Sequence, residues 1–206
     1  MKKIVLHKSH SQPVLNGGTG TSGNGATEQQ IQSDVIDALM VRLLADGYDV
    51  ISYNGTLIPA NVTGDLFLAP HCDGAAPSAR GYSIAVPELQ PSALKTQSEA
   101  FLRVTDTAMQ KHTPIPARRN LDGTFKTTLG MRQYYGFQYT KNKMPCIIIE
   151  MGFLTNSQDA AIMKDTQRMA NCLYDAIRSY FGDPETQKQK ILKLIEELRK
   201  QTELLP

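Results

Sequence analysis

The chain has 206 residues, 41% of them hydrophobic and 20% charged, with a formal net charge of +2. That length buries one sizeable core with a short appendage, not two full domains. A charge balance so near neutral excludes a nucleic-acid binder driven by bulk charge, and no apolar run approaches the ~20 residues of a membrane span.

Met1-Lys2-Lys3-Ile4-Val5-Leu6 begins like a secretory signal, but the apolar run stops at His7, too short for a signal core. The expectation is a protein made in the cytoplasm without an export signal of its own. Lys3 to Leu6 reads as a short buried strand leading into His7-Lys8-Ser9-His10. Gly23-Asn24-Gly25-Ala26 is a glycine-rich loop. Thr27 with Gln30 three residues on fits a helix capping box, which places Glu28 in the first helical turn. Ile31, Val35, Ala38, Leu39 and Leu43 then recur at helical spacing until Gly47, and Tyr48 to Tyr53 reads as a strand.

Asp65 to Pro70 is the next strand signal, with His71 at its end. Gly81 to Val86 predicts another strand, and Pro91 opens a helix to about residue 111 that Pro114 and Pro116 interrupt. From Thr113 to Pro145 the basic residues Arg118, Arg119, Lys126, Arg132, Lys141 and Lys143 are accompanied by Asp122 as the one acid. Such a stretch is either a solvated loop or a rim that attracts an anionic polymer. Cys146 to Met151 predicts a strand, and Ser157 to Phe181 a last helix burying Ile162, Met169, Leu173 and Ile177. The alternation of strands and helices predicts a single α/β domain whose mostly parallel or mixed sheet is flanked by helices.

Gly182-Asp183-Pro184 is a stop signal that divides residues 1–182 from a tail of residues 183–206. The tail carries an apolar stripe, Ile191, Leu194, Ile195, Leu198 and Leu205, on a second amphipathic helix. Its five basic and five acidic residues exclude a polybasic membrane anchor. The stripe suits homo-oligomerisation, a lead into a further domain, or packing back on residues 1–182.

Glu150 is the residue that demands a chemical explanation, because it ends the unbroken apolar run Ile147-Ile148-Ile149. An isolated carboxylate removed from water costs several kcal/mol, so it is neutralised, paired or set beside a cation. His10, Glu28 and His71 stand at three element ends, where open α/β sheets gather their ligands. Two histidines and a glutamate are a recurrent ligand set for catalytic zinc, and a carboxylate beside the metal can carry a proton. The spacing is no compact zinc motif, and His7 is a rival to His10. Cys72, Cys146 and Cys172 are odd in number and read as buried free thiols, with Cys72 a packing residue and not a nucleophile. His112 reads as a surface residue, and Asn24 and Asn156 as turn and capping residues.

The first strand with His10, the Gly23–Glu28 stretch, Leu66–His71, Ala79-Arg80-Gly81 and Pro145–Asn156 together resemble the zinc-dependent N-acetylmuramoyl-L-alanine amidases of the amidase-3 type. These occur in bacterial autolysins and phage endolysins, and the resemblance covers about residues 3 to 182. It implies a phosphorylase/hydrolase-like fold and a peptidoglycan substrate, cut at the amide between N-acetylmuramic acid and L-alanine of the stem peptide. It further implies zinc on His10, Glu28 and His71, with Glu150 as general acid/base, and it favours His10 over His7. Arg80 would bind a substrate carboxylate or hold a loop. The sequence departs from the family pattern in having Ser9 and Ser11 where glycines commonly flank the first ligand, and in having Asp73 after His71-Cys72. Other readings are a zinc carboxypeptidase or deacylase of related architecture, and a cell-wall-binding protein without turnover. Without an export signal, the enzyme would act on the wall after holin-type or lytic release.

Overall fold

The computed structural model describes residues 1–12 and 18–182, together with 192, 194–196 and 199. In chain order the elements begin with β1 (Lys3–Lys8), β2 (Ser22–Gly23), β3 (Ala26–Thr27), α1 (Glu28–Ala45), β4 (Asp49–Asn54), β5 (Leu66–Asp73) and β6 (Ser83–Ala85). They continue with α2 (Ser92–His112), α3 (Leu129–Arg132), α4 (Phe137–Thr140), β7 (Cys146–Phe153), α5 (Ser157–Met163) and α6 (Thr166–Phe181).

The central sheet has the order β4-β1-β5-β7-β6. The first four strands are parallel, and β6 runs antiparallel to β7 at one edge. The mixed, mostly parallel sheet expected from the alternation is thus present. Its strands read as continuous apolar runs because both faces are covered. Ile4, Leu6, Leu68, Ile147 and Ile149 face one core with Val35 and Leu39 of α1, Phe101 of α2 and Leu173 of α6. Val5, Phe67, Ala69 and Ile148 face the other with Ile58, Val62, Met131, Tyr134 and Phe137. The second face is therefore covered by loops and the short helices α3 and α4.

Several expectations shift in detail. β5 does not stop at Pro70 but runs through His71 to Asp73, with an irregularity in its pairing to β7 between those two residues. β7 likewise continues to Phe153, so Glu150 lies inside a strand and not at its end. The glycine-rich loop is a two-residue hairpin: Asn24 and Gly25 both have positive φ (49° and 75°), as a type I′ turn requires. The single helix predicted over residues 157–181 is two, because Asp165 accepts from the Arg168 amide and caps α6 afresh. Ile191, Leu198, Leu205 and most of the predicted tail helix lie outside the described residues.

Candidate active site

Glu28 is brought to the site by a helix start. Thr27 Oγ1 accepts from the Gln30 amide at 3.2 Å and fixes the first turn of α1. The β2-β3 hairpin is pinned to the far end of β7, since Asn24 Nδ2 donates to the Leu154 carbonyl at 2.8 Å and Lys164 reaches the Asn24 carbonyl. Gly20, at φ +74°, lets the chain pass directly over the Glu28 side chain; a Cβ there would lie 2.8 Å from Glu28 Cβ.

The Glu28 carboxylate is the hub of the site. Its Oε1 lies 2.8 Å from His71 Nδ1 and 3.3 Å from His10 Nε2, and accepts from the Cys72 amide at 3.0 Å. Its Oε2 accepts from the Thr21 amide at 3.0 Å. One ligand atom each from His10, Glu28 and His71 lies within 4.8 Å of the others, the one such grouping among the described residues. Burial opposes ionisation of Glu28, but bonds to both imidazoles outweigh it and hold its carboxyl well below the usual range. For His10 the same bond outweighs burial and raises its pKa.

His7 belongs elsewhere. It shares the second face of the sheet with His71 but is fully buried and bonded away from the cluster, with Nε2 2.7 Å from the Gly55 carbonyl and Nδ1 2.5 Å from the Tyr134 hydroxyl. Burial, opposed by the bond to Gly55 and helped by the neighbouring histidines, lowers its pKa to about 4. The structure therefore groups His10, and not His7, with Glu28 and His71.

Glu150 lies beside this cluster by register. It pairs with His71 across the parallel β5-β7 ladder, so both side chains point to the same face. Its Oε2 is shielded from solvent and finds no hydrogen-bond partner among the described residues. Burial, with Glu28 and Asp73 adding to it and Arg118 opposing, pushes its pKa well above the usual carboxylate value. Arg118 donates to Asp73 at 3.3 Å and stacks over Phe153, 4.6 Å from the ring centre.

The remaining expected site residue, Arg80, has Asp159 and Gln158 as its polar partners. Asp159 is fully buried and also accepts from the Gly81 amide at 2.7 Å and the Phe153 amide at 3.3 Å. Cys72, Cys146 and Cys172 are buried free thiols, and burial first of all pushes the Cys72 pKa far up, which makes it a poor nucleophile. Asn156 caps α5, as read from the sequence.

Residues that sequence reasoning passed over complete the surroundings. Ser9 Oγ is 3.0 Å from His71 Nε2, and Gln32 Nε2 donates to Ser9 Oγ at 3.1 Å. Gln32 is a buried polar residue one helical turn beyond Glu28, a signal that was available. Tyr134, whose ring meets His71 edge-on at 5.0 Å, arrives from the basic loop and left no such signal.

Residues 4–179 match the family model for N-acetylmuramoyl-L-alanine amidase. The chain belongs to this family. It is an amidase acting on peptidoglycan, and its fold is shared with solved amidases. Ami1 from Mycobacterium smegmatis superposes with a TM-score of 0.70, at 17% identity over 88% of this chain and 97% of that one. The CwlD amidase from Clostridioides difficile, solved in complex with the GerS lipoprotein, gives 0.67 at 15% identity over 88% and 98%. The catalytic domain of CwlV from Bacillus (Paenibacillus) polymyxa var. colistinus gives 0.66 at 18% identity over 89% and 99%. At these identities the likeness is one of fold. Among curated proteins, none matches the sequence of this amidase. No helix among its described residues is long and apolar enough to cross a membrane.

Proposed function

We propose that this amidase cleaves the amide between the lactyl group of N-acetylmuramic acid and L-alanine, with zinc held by His10, Glu28 and His71 and with Glu150 as the proton carrier. The observation that carries the reading is the meeting of three ligand atoms within 4.8 Å beside a shielded carboxylate oxygen that has no hydrogen-bond partner among the described residues. Two imidazoles and one carboxylate are a donor set suited to catalytic zinc, which leaves a coordination position open. When bound, the ion would polarise the scissile carbonyl and acidify water beside it.

The chain's own residues supply the rest. Glu28 is oriented by the Thr21 and Cys72 amides, so its carboxylate is already aimed before any ion arrives. Glu150, with its proton affinity raised by burial and by the nearby Glu28 and Asp73 carboxylates, is matched to taking a proton from the attacking water. It then delivers that proton to the L-alanine nitrogen as the carbon–nitrogen bond breaks. Hydroxide goes to the lactyl carbon and hydrogen to nitrogen, giving a carboxylate and a free amine.

Digestion of purified peptidoglycan followed by mass spectrometry tests this. The expected products are stem peptides with a free L-alanine amine and glycan with an intact lactyl carboxylate. Activity should vanish on chelation and return with zinc. Release of a terminal amino acid or of an acetyl group would instead favour a carboxypeptidase or deacylase, and sedimentation with walls without cleavage would favour a binding protein.

A further inference from the structure

We propose that Arg118 is a specificity-determining residue whose guanidinium binds the first free carboxylate of the stem peptide beyond L-alanine, so that the peptide leaves the scissile bond toward β6. The inference rests on the reading of Glu150 as proton carrier beside His10, Glu28 and His71. It adds the direction of the substrate and a contact that selects it.

The polar residues of the site form a row across the sheet. His71 of β5 pairs with Glu150 of β7, and Glu150 pairs on its other side with Ser83 of β6, so all three face the same way. The next rung, toward the ends of β5 and β7, carries Asp73 and Phe153. Arg118 lies along that rung. Its amide donates to the Tyr82 carbonyl at 2.9 Å, which lays residues 116–118 beside the start of β6. Its side chain then turns back over Gly81, where a Cβ would lie 2.6 Å from Arg118 Cγ and where φ is +113°, so glycine alone fills the position without strain. The guanidinium ends over the Phe153 ring, 4.6 Å from its centre, with Nη1 donating to Asp73 Oδ2 at 3.3 Å. The other Asp73 oxygen accepts from the Gly74 amide at 2.8 Å, so this carboxylate holds the guanidinium through one oxygen.

An arginine held in this way has donors to spare. A guanidinium carries its N–H groups in a planar fork, and Asp73 engages one of the three nitrogens. The side chain is 33% exposed and the aromatic face fixes its plane, which suits a carboxylate arriving edge-on with two oxygens. Arg80 is committed instead, with Nε on Asp159 and Nη1 on Gln158. The sheet order puts β7 between β5 and β6, so the ligand cluster and Arg118 approach Glu150 from opposite sides. With the scissile carbonyl at the cluster and the leaving nitrogen at Glu150, the peptide continues toward Arg118. Adjacent strands lie about 4.8 Å apart and an extended chain advances about 3.6 Å per residue at most, which brings the residue after L-alanine within reach of the guanidinium. Where that residue is glutamate, joined to the next through its γ-carboxyl, the group presented is its α-carboxylate.

The test compares N-acetylmuramoyl-L-alanyl-D-glutamate with its α-amide, two compounds that differ in whether that carboxylate is free. The wild-type full chain should favour the acid about tenfold or more in kcat/KM, chiefly through KM, and this measurement needs no variant. Arg118→Met should abolish the preference by raising KM for the acid while leaving kcat and KM for the amide near wild type. Arg118→Lys should restore part of the preference, and Arg80→Met should keep it. Calorimetric binding of both compounds to Glu150→Gln reads the same preference without turnover. Equal binding and cleavage of acid and amide by the wild type, a preference that survives Arg118→Met, or a folded Arg118→Met that loses activity equally on both compounds overturns the proposal. A wild type that cleaves neither compound yet binds the acid more tightly, with that difference lost in Arg118→Met, overturns the cleavage reading and keeps the role of Arg118.

Discussion

His71 and Glu150 are register partners on adjacent parallel strands, so one strand pairing sets the proposed metal-ligand imidazole and a shielded carboxylate side by side on one sheet face. β5 and β7 sit at the centre of the sheet, where a one-residue slip would turn both side chains into the opposite core. The proposed proton carrier and His71 of the proposed ligand cluster are therefore aligned by the most constrained part of the fold, not by a loop.

Glu150→Gln keeps the shape of the side chain and removes its ability to move a proton. Metal content should be unchanged, while muropeptide release falls by about 10²- to 10⁴-fold. Near-native turnover in this variant would show that Glu150 has another role.

The ligand set makes a separable prediction. His10→Ala and His71→Ala should each lose zinc on gel filtration, and Glu28→Ala should lose it while also stranding the Thr21 and Cys72 amides. His7→Gln should retain one zinc per chain, by elemental analysis. Loss of the metal in His7→Gln alone would put the ligand at the wrong histidine.

His7 also predicts a pH dependence. Burial lowers its pKa from 6.5 to about 4 in the folded chain. Between these values the unfolded chain binds a proton on this ring that the folded chain does not. Its contribution is thus complete above about pH 6.5, falls as the pH drops toward 4, and changes no further below that. The amount is about 3 kcal/mol for so large a shift. In urea unfolding, the stability gap between wild type and His7→Gln should narrow by that amount from pH 7.5 to 4; a constant gap would contradict the buried neutral imidazole.

Much of this was legible in the sequence, and the reasons differ by residue. The strands of β1, β5 and β7 announce themselves as apolar runs, and Thr27 announces the turn that carries Glu28. The break at Asp165 was hidden because Ile162, Met169 and Leu173 keep a helical spacing across it, and a local cap overrides that pattern. β5 ran past its expected end because Pro70 reads as a strand breaker. There, the Gln32 side chain bonds its carbonyl and Pro70 keeps its place in the ladder opposite Ile149. Tyr134 was invisible because its role depends on a loop that folds back over the second face, and no local pattern encodes such a return.

Asp159 offers a stability test away from the chemistry. Asp159→Ala leaves the buried Gly81 and Phe153 amides without an acceptor and should cost about 3 kcal/mol. Arg80→Ala removes only a partly exposed partner and should cost about 1 kcal/mol or less. Calorimetry of both variants checks the ranking. If Arg80→Ala is the more damaging, the arginine has a role beyond tethering the loop.

His10, Glu28 and His71 together should hold one zinc ion. A crystal of the metal-loaded protein measured on both sides of the zinc absorption edge tests it directly. The expected result is a single anomalous peak bounded by His10 Nε2, Glu28 Oε1 and His71 Nδ1, with His7 still bonded to Tyr134 and Gly55. A peak ligated by His7, or no edge-specific peak at this cluster, would contradict it.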